Sequence, residues 1–136
     1  MSRFPLAILF LYGMARVLTG GWHMLASDGG ASTIAGINLN FDGPTIVSLF
    51  AWAGATQFAI GLLAMLTVLW NKQGVFLFLW AAALEQFLIV LNAWIFKPVI
   101  QVTGAVMPPA TYIGIAACIL LTLAALSTRR SHRPAN

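Results

Sequence analysis

Long apolar runs and short polar stretches alternate along this chain, and each apolar run is about long enough to cross a bilayer as a helix. A transmembrane helix needs about 20 predominantly apolar residues. Because the turn at residues 71–73 is very short, the second and third helices should be antiparallel neighbours. The pattern predicts an all-α fold, an integral membrane four-helix bundle that forms a single transmembrane domain over residues 1–136. The predicted spans are residues 4–26, 46–70, 74–96 and 110–127.

Polar segments separate these spans and follow the last one. The first segment is rich in Gly, Ser, Thr and Asn, and the turn pair Gly43-Pro44 marks its end, so it is predicted to be a loop. The first span follows Arg3 and has some features of a signal peptide. However, Arg16 interrupts its apolar run and no small-x-small cleavage site follows, so we expect a retained helix. The predicted polar segments are the loops 27–45 and 97–109 and the tail 128–136.

The distribution of basic residues predicts how the bundle is oriented. With an even number of spans, both chain ends lie on the same side of the membrane. That side would hold most of the basic residues, with Lys97 alone opposite, and cytoplasmic segments carry the excess of Lys and Arg in membrane proteins. We therefore predict that both termini are cytoplasmic. The basic residues on the predicted cytoplasmic side are Arg3, Lys72, Arg129, Arg130 and Arg133.

Composition excludes several classes of protein. With 60% hydrophobic and 7% charged residues, and a mean hydropathy of +0.90, the chain has too few polar side chains to coat a soluble domain. The net charge of +4 comes from scattered residues and fits a membrane anchor, so no nucleic-acid partner is expected. The single cysteine, Cys118, excludes an internal disulfide. No motif with metal-ligand spacing, catalytic triad or phosphate loop is visible, so no metal and no catalytic residue is predicted.

The candidate chemistry lies in polar residues at membrane depth. An ionisable residue within a span is costly, so it is paired or functional by default. Counted along each helix from the cytoplasmic side, Arg16 lies at about 18 Å, Glu85 at about 16 Å and Gln57 at about 20 Å. Three helices therefore place a cation, an anion and an amide in one layer. The simplest prediction is an interior Arg16–Glu85 pair whose hydrogen bonds are completed by Gln57.

Two interpretations of this layer remain open. In the first, the ion pair only fixes which helix faces which. In the second, the layer is part of a polar cavity, since His23 shares a helical face with Arg16 and Asn92 shares one with Glu85. No cofactor is expected within the chain itself, but such a cavity could hold a bound lipid or a quinone head group. The candidate residues of the cavity or structural centre are Arg16, Gln57, Glu85, Asn92 and His23.

Two motifs carry a resemblance to a known family. The first helix contains Arg-x-x-x-Gly from Arg16 to Gly20, and the second contains Gln-Phe-Ala-Ile-Gly-Leu-Leu from Gln57 to Leu63. In these motifs the chain resembles the DoxX-like group of small four-helix bacterial membrane proteins. The resemblance implies a multi-pass protein of the bacterial inner membrane, often associated with a larger oxidoreductase or quinone-linked assembly. That group usually has Glu where Gln57 stands, so a proton or redox role would require Glu85 to supply the carboxylate.

Three functions follow as hypotheses. The first is an accessory or structural subunit that packs against membrane lipids and against other membrane subunits or a second copy of itself. The alternative is a small transporter or binding protein with an intramembrane polar cavity centred on Arg16 and Glu85. The third is a membrane enzyme using Glu85 or His23 as acid or base. We favour a non-enzymatic role, because a carboxylate held by an arginine is a poor base.

Overall fold

The computed structural model describes residues 3–96 and 110–130, and this part of the chain is helical without strands. Three of the helices are long and apolar enough to cross a membrane, if the third is counted together with the π-helical turn that follows it. The fourth helix contains a shorter apolar stretch. The predicted all-helical fold is confirmed for the described residues, and these apolar helices are consistent with the predicted membrane protein. The helices are α1 (Arg3–Leu25), α2 (Gly43–Trp70), α3 (Val75–Leu91) with a π-helical turn (Asn92–Phe96), and α4 (Ala110–Arg130).

The helix ends differ slightly from the predicted boundaries. Helix α2 begins at Gly43, before the predicted start at residue 46, because Pro44 fits the first turn of a helix, where no N–H partner is needed. Helix α4 continues to Arg130, so the first residues of the predicted tail are helical. The predicted loop 97–109 and residues 131–136 of the predicted tail lie outside the described residues.

Helices α1 and α2 pack in antiparallel contact through two pairs of glycines. Gly13 lies opposite Gly61, and Gly20 lies opposite Gly54, seven residues apart on each helix. A Cβ atom at Gly61 would lie 2.6 Å from the Gly13 carbonyl oxygen, and one at Gly20 would lie 2.5 Å from the Gly54 carbonyl oxygen. Only glycine lets the two backbones approach this closely. The α1–α2 pair is therefore set by backbone contact.

Helices α3 and α4 form the second antiparallel pair. The Cys118 thiol donates to the Ala83 carbonyl oxygen at 3.6 Å, and the Trp94 ring lies edge-on to the Tyr112 ring with centroids 5.8 Å apart. Helix α1 contacts both α3 and α4, whereas α2 packs mainly on α1 and touches α3 only sparsely. The short turn therefore connects α2 and α3 at one end, but the two helices do not pack against each other along their length.

The apolar core lies toward one end of the bundle. We call the end with the 71–74 turn the turn end, and the end with residues 26–42 the loop end. Toward the loop end, the buried residues in the described part of the chain are glycines and Ala31. The bundle is therefore closed by apolar side chains at the turn end only. The buried core residues are Leu9, Tyr12, Ala64, Val75, Leu79, Ala82, Ala83, Leu121, Ala124 and Ala125.

Residues 26–42 fold back over the loop end of α1 and α2. The carboxylate of Asp28 accepts hydrogen bonds from the backbone N–H groups of Gly30 at 2.9 Å and Thr33 at 2.8 Å. Gly30 has a positive φ of 76°, and a Cβ atom there would lie 2.8 Å from His23 Nδ1. Ala31 is fully buried. The segment is thus an ordered cap held by backbone hydrogen bonds to one carboxylate.

Acid should loosen this cap. The backbone N–H groups of Thr33 and Gly30 hold the pKa of Asp28 below its ordinary value of about 3.9. Because the folded pKa is lowered, the stabilisation is fully present above the ordinary value and is lost as pH falls through the lowered pKa. We expect hydrogen-exchange protection factors of the Gly30 and Thr33 amides to fall in that acid range.

The matched control for this pH effect uses the second loop carboxylate. In Asp28→Asn the two amides should already be poorly protected at neutral pH and should show little further change in acid. In Asp42→Asn, whose carboxylate accepts only from the Thr45 hydroxyl at 2.8 Å, their acid transition should be unchanged. An acid transition that persists in Asp28→Asn would contradict the assignment.

Candidate functional site

A polar cluster of Tyr12, Arg16 and Glu85 lies directly on the loop side of the core. Tyr12 and Arg16 are four residues apart on α1, so they share one helical face, and Glu85 reaches them from α3. Arg16 Nη2 forms a salt bridge with Glu85 Oε1, and the Tyr12 hydroxyl donates to Glu85 Oε2. The guanidinium carbon also lies 5.9 Å from the centroid of the Tyr12 ring, within the range of a cation–π contact. Each carboxylate oxygen therefore accepts one hydrogen bond.

The cluster is largely enclosed by protein but is not sealed. Tyr12 is 8% exposed, and the side chains of Arg16 and Glu85 are 14% and 26% exposed. The buried Gln86, next to Glu85 in the sequence, adjoins the Tyr12 hydroxyl. A charged pair removed from water is tolerated only when its geometry and hydrogen bonds are good. Here the phenol hydroxyl and the guanidinium together satisfy the carboxylate.

Gln57 does not complete this cluster as the sequence predicted. Its Oε1 accepts from the Thr19 hydroxyl at 3.2 Å, so it links α2 to α1 one turn further toward the loop end. The Thr19 hydroxyl also lies 2.9 Å from the Ala15 carbonyl oxygen. The helical rise correctly places Arg16 and Glu85 in one layer, but it does not indicate in which direction the Gln57 side chain points. Tyr12, and not Gln57, supplies the additional hydrogen bond to the ion pair. The sequence feature that could have indicated this is the four-residue spacing between Tyr12 and Arg16, which places both on one face of α1.

His23 and Asn92 lie apart from the cluster. His23 Nδ1 is 2.6 Å from the Gly29 carbonyl oxygen, and its ring packs edge-on to Phe50 at 5.5 Å. A carbonyl oxygen only accepts, so Nδ1 carries the proton. His23 is about 10 Å along α1 from Arg16 by the helical rise. Asn92 is exposed at the start of the π-helical turn, two turns beyond Glu85.

Side chains from α2 and α3 meet the same strip of α1. Gln57 reaches Thr19 from α2, and Glu85 reaches Tyr12 and Arg16 from α3. Because α2 and α3 touch only sparsely, this strip lies in a gap between them, which explains the partial exposure of its polar side chains. We call this gap the α2–α3 cleft and define it by Arg16, Thr19, Gln57 and Glu85. It is closed at the turn end by the core.

A second concavity lies on the outer side of the α3–α4 pair. Its volume is about 250 Å³. The Cys118 thiol is bonded to the Ala83 carbonyl and the Thr122 hydroxyl to the Cys118 carbonyl at 2.8 Å, so its polar atoms are satisfied internally. It offers only apolar surface, such as a lipid chain would contact. The lining residues are Trp80, Ala83, Leu84, Phe87, Cys118 and Thr122.

In residues 3–96 and 110–130, no group of three or more His, Cys, Asp and Glu side chains could hold a metal ion. The chemistry that the described residues bring together is that of the polar cluster and the cleft: hydrogen bonding, and an ion pair between apolar helices. Comparison of the chain with protein-family models, curated proteins and solved structures finds no match.

Proposed function

We propose that this small membrane protein is an intramembrane binding protein whose α2–α3 cleft holds the head group of an amphipathic molecule. The observation that carries the proposal is a polar cluster within the span that remains open to the side. Polar groups that face hydrocarbon without partners are costly, and in known membrane proteins they face a cavity, a pathway or another polar group. An amphipathic molecule would supply the missing partner to the cluster and leave its tail in the lipid.

Binding fits the cluster better than acid–base catalysis. Each oxygen of Glu85 already accepts one hydrogen bond, from Arg16 or from Tyr12, so the carboxylate is held in a contact between α1 and α3. A general base must lie within hydrogen-bond reach of the proton that it takes, and a carboxylate fixed between two helices is poorly placed to move toward a substrate. The arrangement supports a role in which the cluster holds and orients a ligand without reacting with it.

A second candidate function is that of an accessory subunit in a larger membrane assembly. Helix α2 favours it, because this helix packs mainly on α1 and exposes much of its apolar surface, with Trp52 72% and Leu63 55% exposed. Small residues, Ala55 and Ala59, are exposed on the same helix and would let a partner helix approach closely. The resemblance to the DoxX-like group, with its oxidoreductase or quinone-linked assemblies in the bacterial inner membrane, supports this candidate. The partner would be another subunit or a second copy of this chain.

Native mass spectrometry of the protein, extracted gently from its native membrane, separates the two functions. For a binding protein we expect a monomer or homo-oligomer that keeps a small molecule of lipid-like mass. The double variant Arg16→Gln with Glu85→Gln should lose that molecule, because the head group would lose the N–H donors of the Arg16 guanidinium. Thr122→Val, in the outer apolar groove, should keep it.

Two outcomes would contradict the binding function. One is a hetero-complex in which this chain carries no small molecule, which would support the accessory role. The other is a small molecule that the double variant retains and Thr122→Val loses, which would place it in the outer groove. The double variant removes both charges together, so it leaves no unpaired charge in the span.

A further inference from the structure

Hydrogen-bond donors outnumber free acceptors in the α2–α3 cleft. Arginine carries N–H groups on every guanidinium nitrogen and has no acceptor. Only Nη2 of Arg16 contacts Glu85, and Nε is buried with no partner among the described residues. On the acceptor side, both oxygens of Glu85 and Oε1 of Gln57 already accept one hydrogen bond each, which leaves one lone pair on each of these three atoms. The groups left to meet a ligand are therefore mainly N–H donors of Arg16 and of the Gln57 amide.

The charge of the cleft is already balanced. The two ionic groups among its four defining residues, Arg16 and Glu85, are paired one to one. An anionic ligand would add an uncompensated negative charge in a medium of low dielectric constant, and a cation would add a positive one beside donors that repel it. An uncharged ligand leaves the balance intact. The excess of N–H donors and the balanced charge together favour an uncharged ligand that accepts hydrogen bonds.

We propose that the cleft selects uncharged lipids whose head group presents a carbonyl oxygen, as an ester, ketone or quinone does. The carbonyl oxygen accepts from the Gln57 amide and from a terminal N–H of Arg16, while Glu85 stays bound to Arg16 and Tyr12. The tail leaves the cleft sideways between α2 and α3, where their contact is sparse. This inference rests on the binding function proposed above and adds the class of ligand.

The test uses a matched series of ligands with one chain length. The purified full chain in detergent is titrated with hexadecane, methyl palmitate, palmitate and hexadecylamine at neutral pH, with native mass spectrometry as the readout. We expect methyl palmitate to bind at least tenfold more tightly than hexadecane, because its carbonyl oxygen gains hydrogen bonds from two donors in a dry site. Palmitate and hexadecylamine should bind more weakly than the ester because each adds an unpaired charge.

Gln57→Leu is the variant that tests the assigned donor. It removes the amide without touching the ion pair, so the protein should fold, and the preference for methyl palmitate over hexadecane should fall by about fivefold, the effect of losing one of the two donors. Thr122→Val is the matched control outside the cleft and should leave the preference unchanged. Helical circular dichroism confirms that each variant is folded.

The outcomes separate failure of this inference from failure of the binding function. If no head group binds more tightly than hexadecane, the cleft is not a binding site and the proposed function fails. If palmitate binds more tightly than the ester, binding stands and selection for an uncharged acceptor is overturned. If Gln57→Leu keeps the full preference for the ester, the assignment of Gln57 as a donor is overturned.

Discussion

Replacing Glu85 with glutamine is expected to lower the free energy of unfolding by about 3 kcal/mol, the loss seen when one side of a buried ion pair is removed. The substitution leaves the Arg16 guanidinium within the membrane span without its anion, and arginine does not give up its proton. Arg16→Gln should cost less, because a lone carboxylate can become neutral by binding a proton. Unfolding of the purified protein in mixed micelles, followed by circular dichroism, measures both losses.

Two further variants make this prediction specific to the pair. The double variant Arg16→Gln with Glu85→Gln should recover much of the loss, since no unpaired charge then remains in the span. Arg3→Gln removes an exposed arginine at the start of the same helix and should change stability by less than about 0.5 kcal/mol. A double variant as unstable as the sum of the single ones would show that Arg16 and Glu85 contribute independently.

The helices were predictable from the sequence, because hydropathy alone decides which segments cross a membrane and helices satisfy their own backbone there. The predicted all-helical class is confirmed for the described residues, and three helices are long and apolar enough to span a membrane. How the helices pack was less predictable. The short turn predicted that α2 and α3 are antiparallel neighbours, but it did not indicate that α2 packs mainly on α1 and touches α3 only sparsely. A short turn constrains only the helix ends, whereas the glycine pairs Gly13–Gly61 and Gly20–Gly54 bring the backbones of α1 and α2 together over about two helical turns.

The candidate site was predictable in depth but not in direction. The rise per residue places Arg16 and Glu85 in the same layer whatever the packing, and the two side chains do meet. Which third residue faces them depends on how each helix is rotated, and that is set by tertiary packing. The Gln57 side chain contacts Thr19 and not the ion pair. Tyr12 was not predicted to contact the pair, because a tyrosine within an apolar run is most simply interpreted as a core residue. The roles of these residues in binding, and the cytoplasmic location of the termini, remain predictions.

Replacing Gly20 with alanine is expected to destabilise the protein by about 2 kcal/mol, although alanine is the better helix former by about 1 kcal/mol. The new Cβ atom would lie 2.5 Å from both the Gly54 carbonyl oxygen and the Phe58 backbone nitrogen, so α1 and α2 would have to move apart. Backbone atoms cannot rotate away as a flexible side chain can. The separation should also weaken the Thr19–Gln57 hydrogen bond one residue along α1. Unfolding in mixed micelles measures the loss.

Gly21→Ala is the matched control, because it makes the same chemical change at the adjacent position of the same helix. The nearest atom to a Cβ at Gly21 is Cδ2 of Phe58 at 3.9 Å, an ordinary van der Waals contact. Gly21→Ala should therefore leave stability unchanged or raise it by up to about 1 kcal/mol through helix propensity. Opposite signs for the two neighbours would show that backbone contact with α2 sets the stability of this pair. Equal effects would contradict that account, since helix propensity acts alike at both positions.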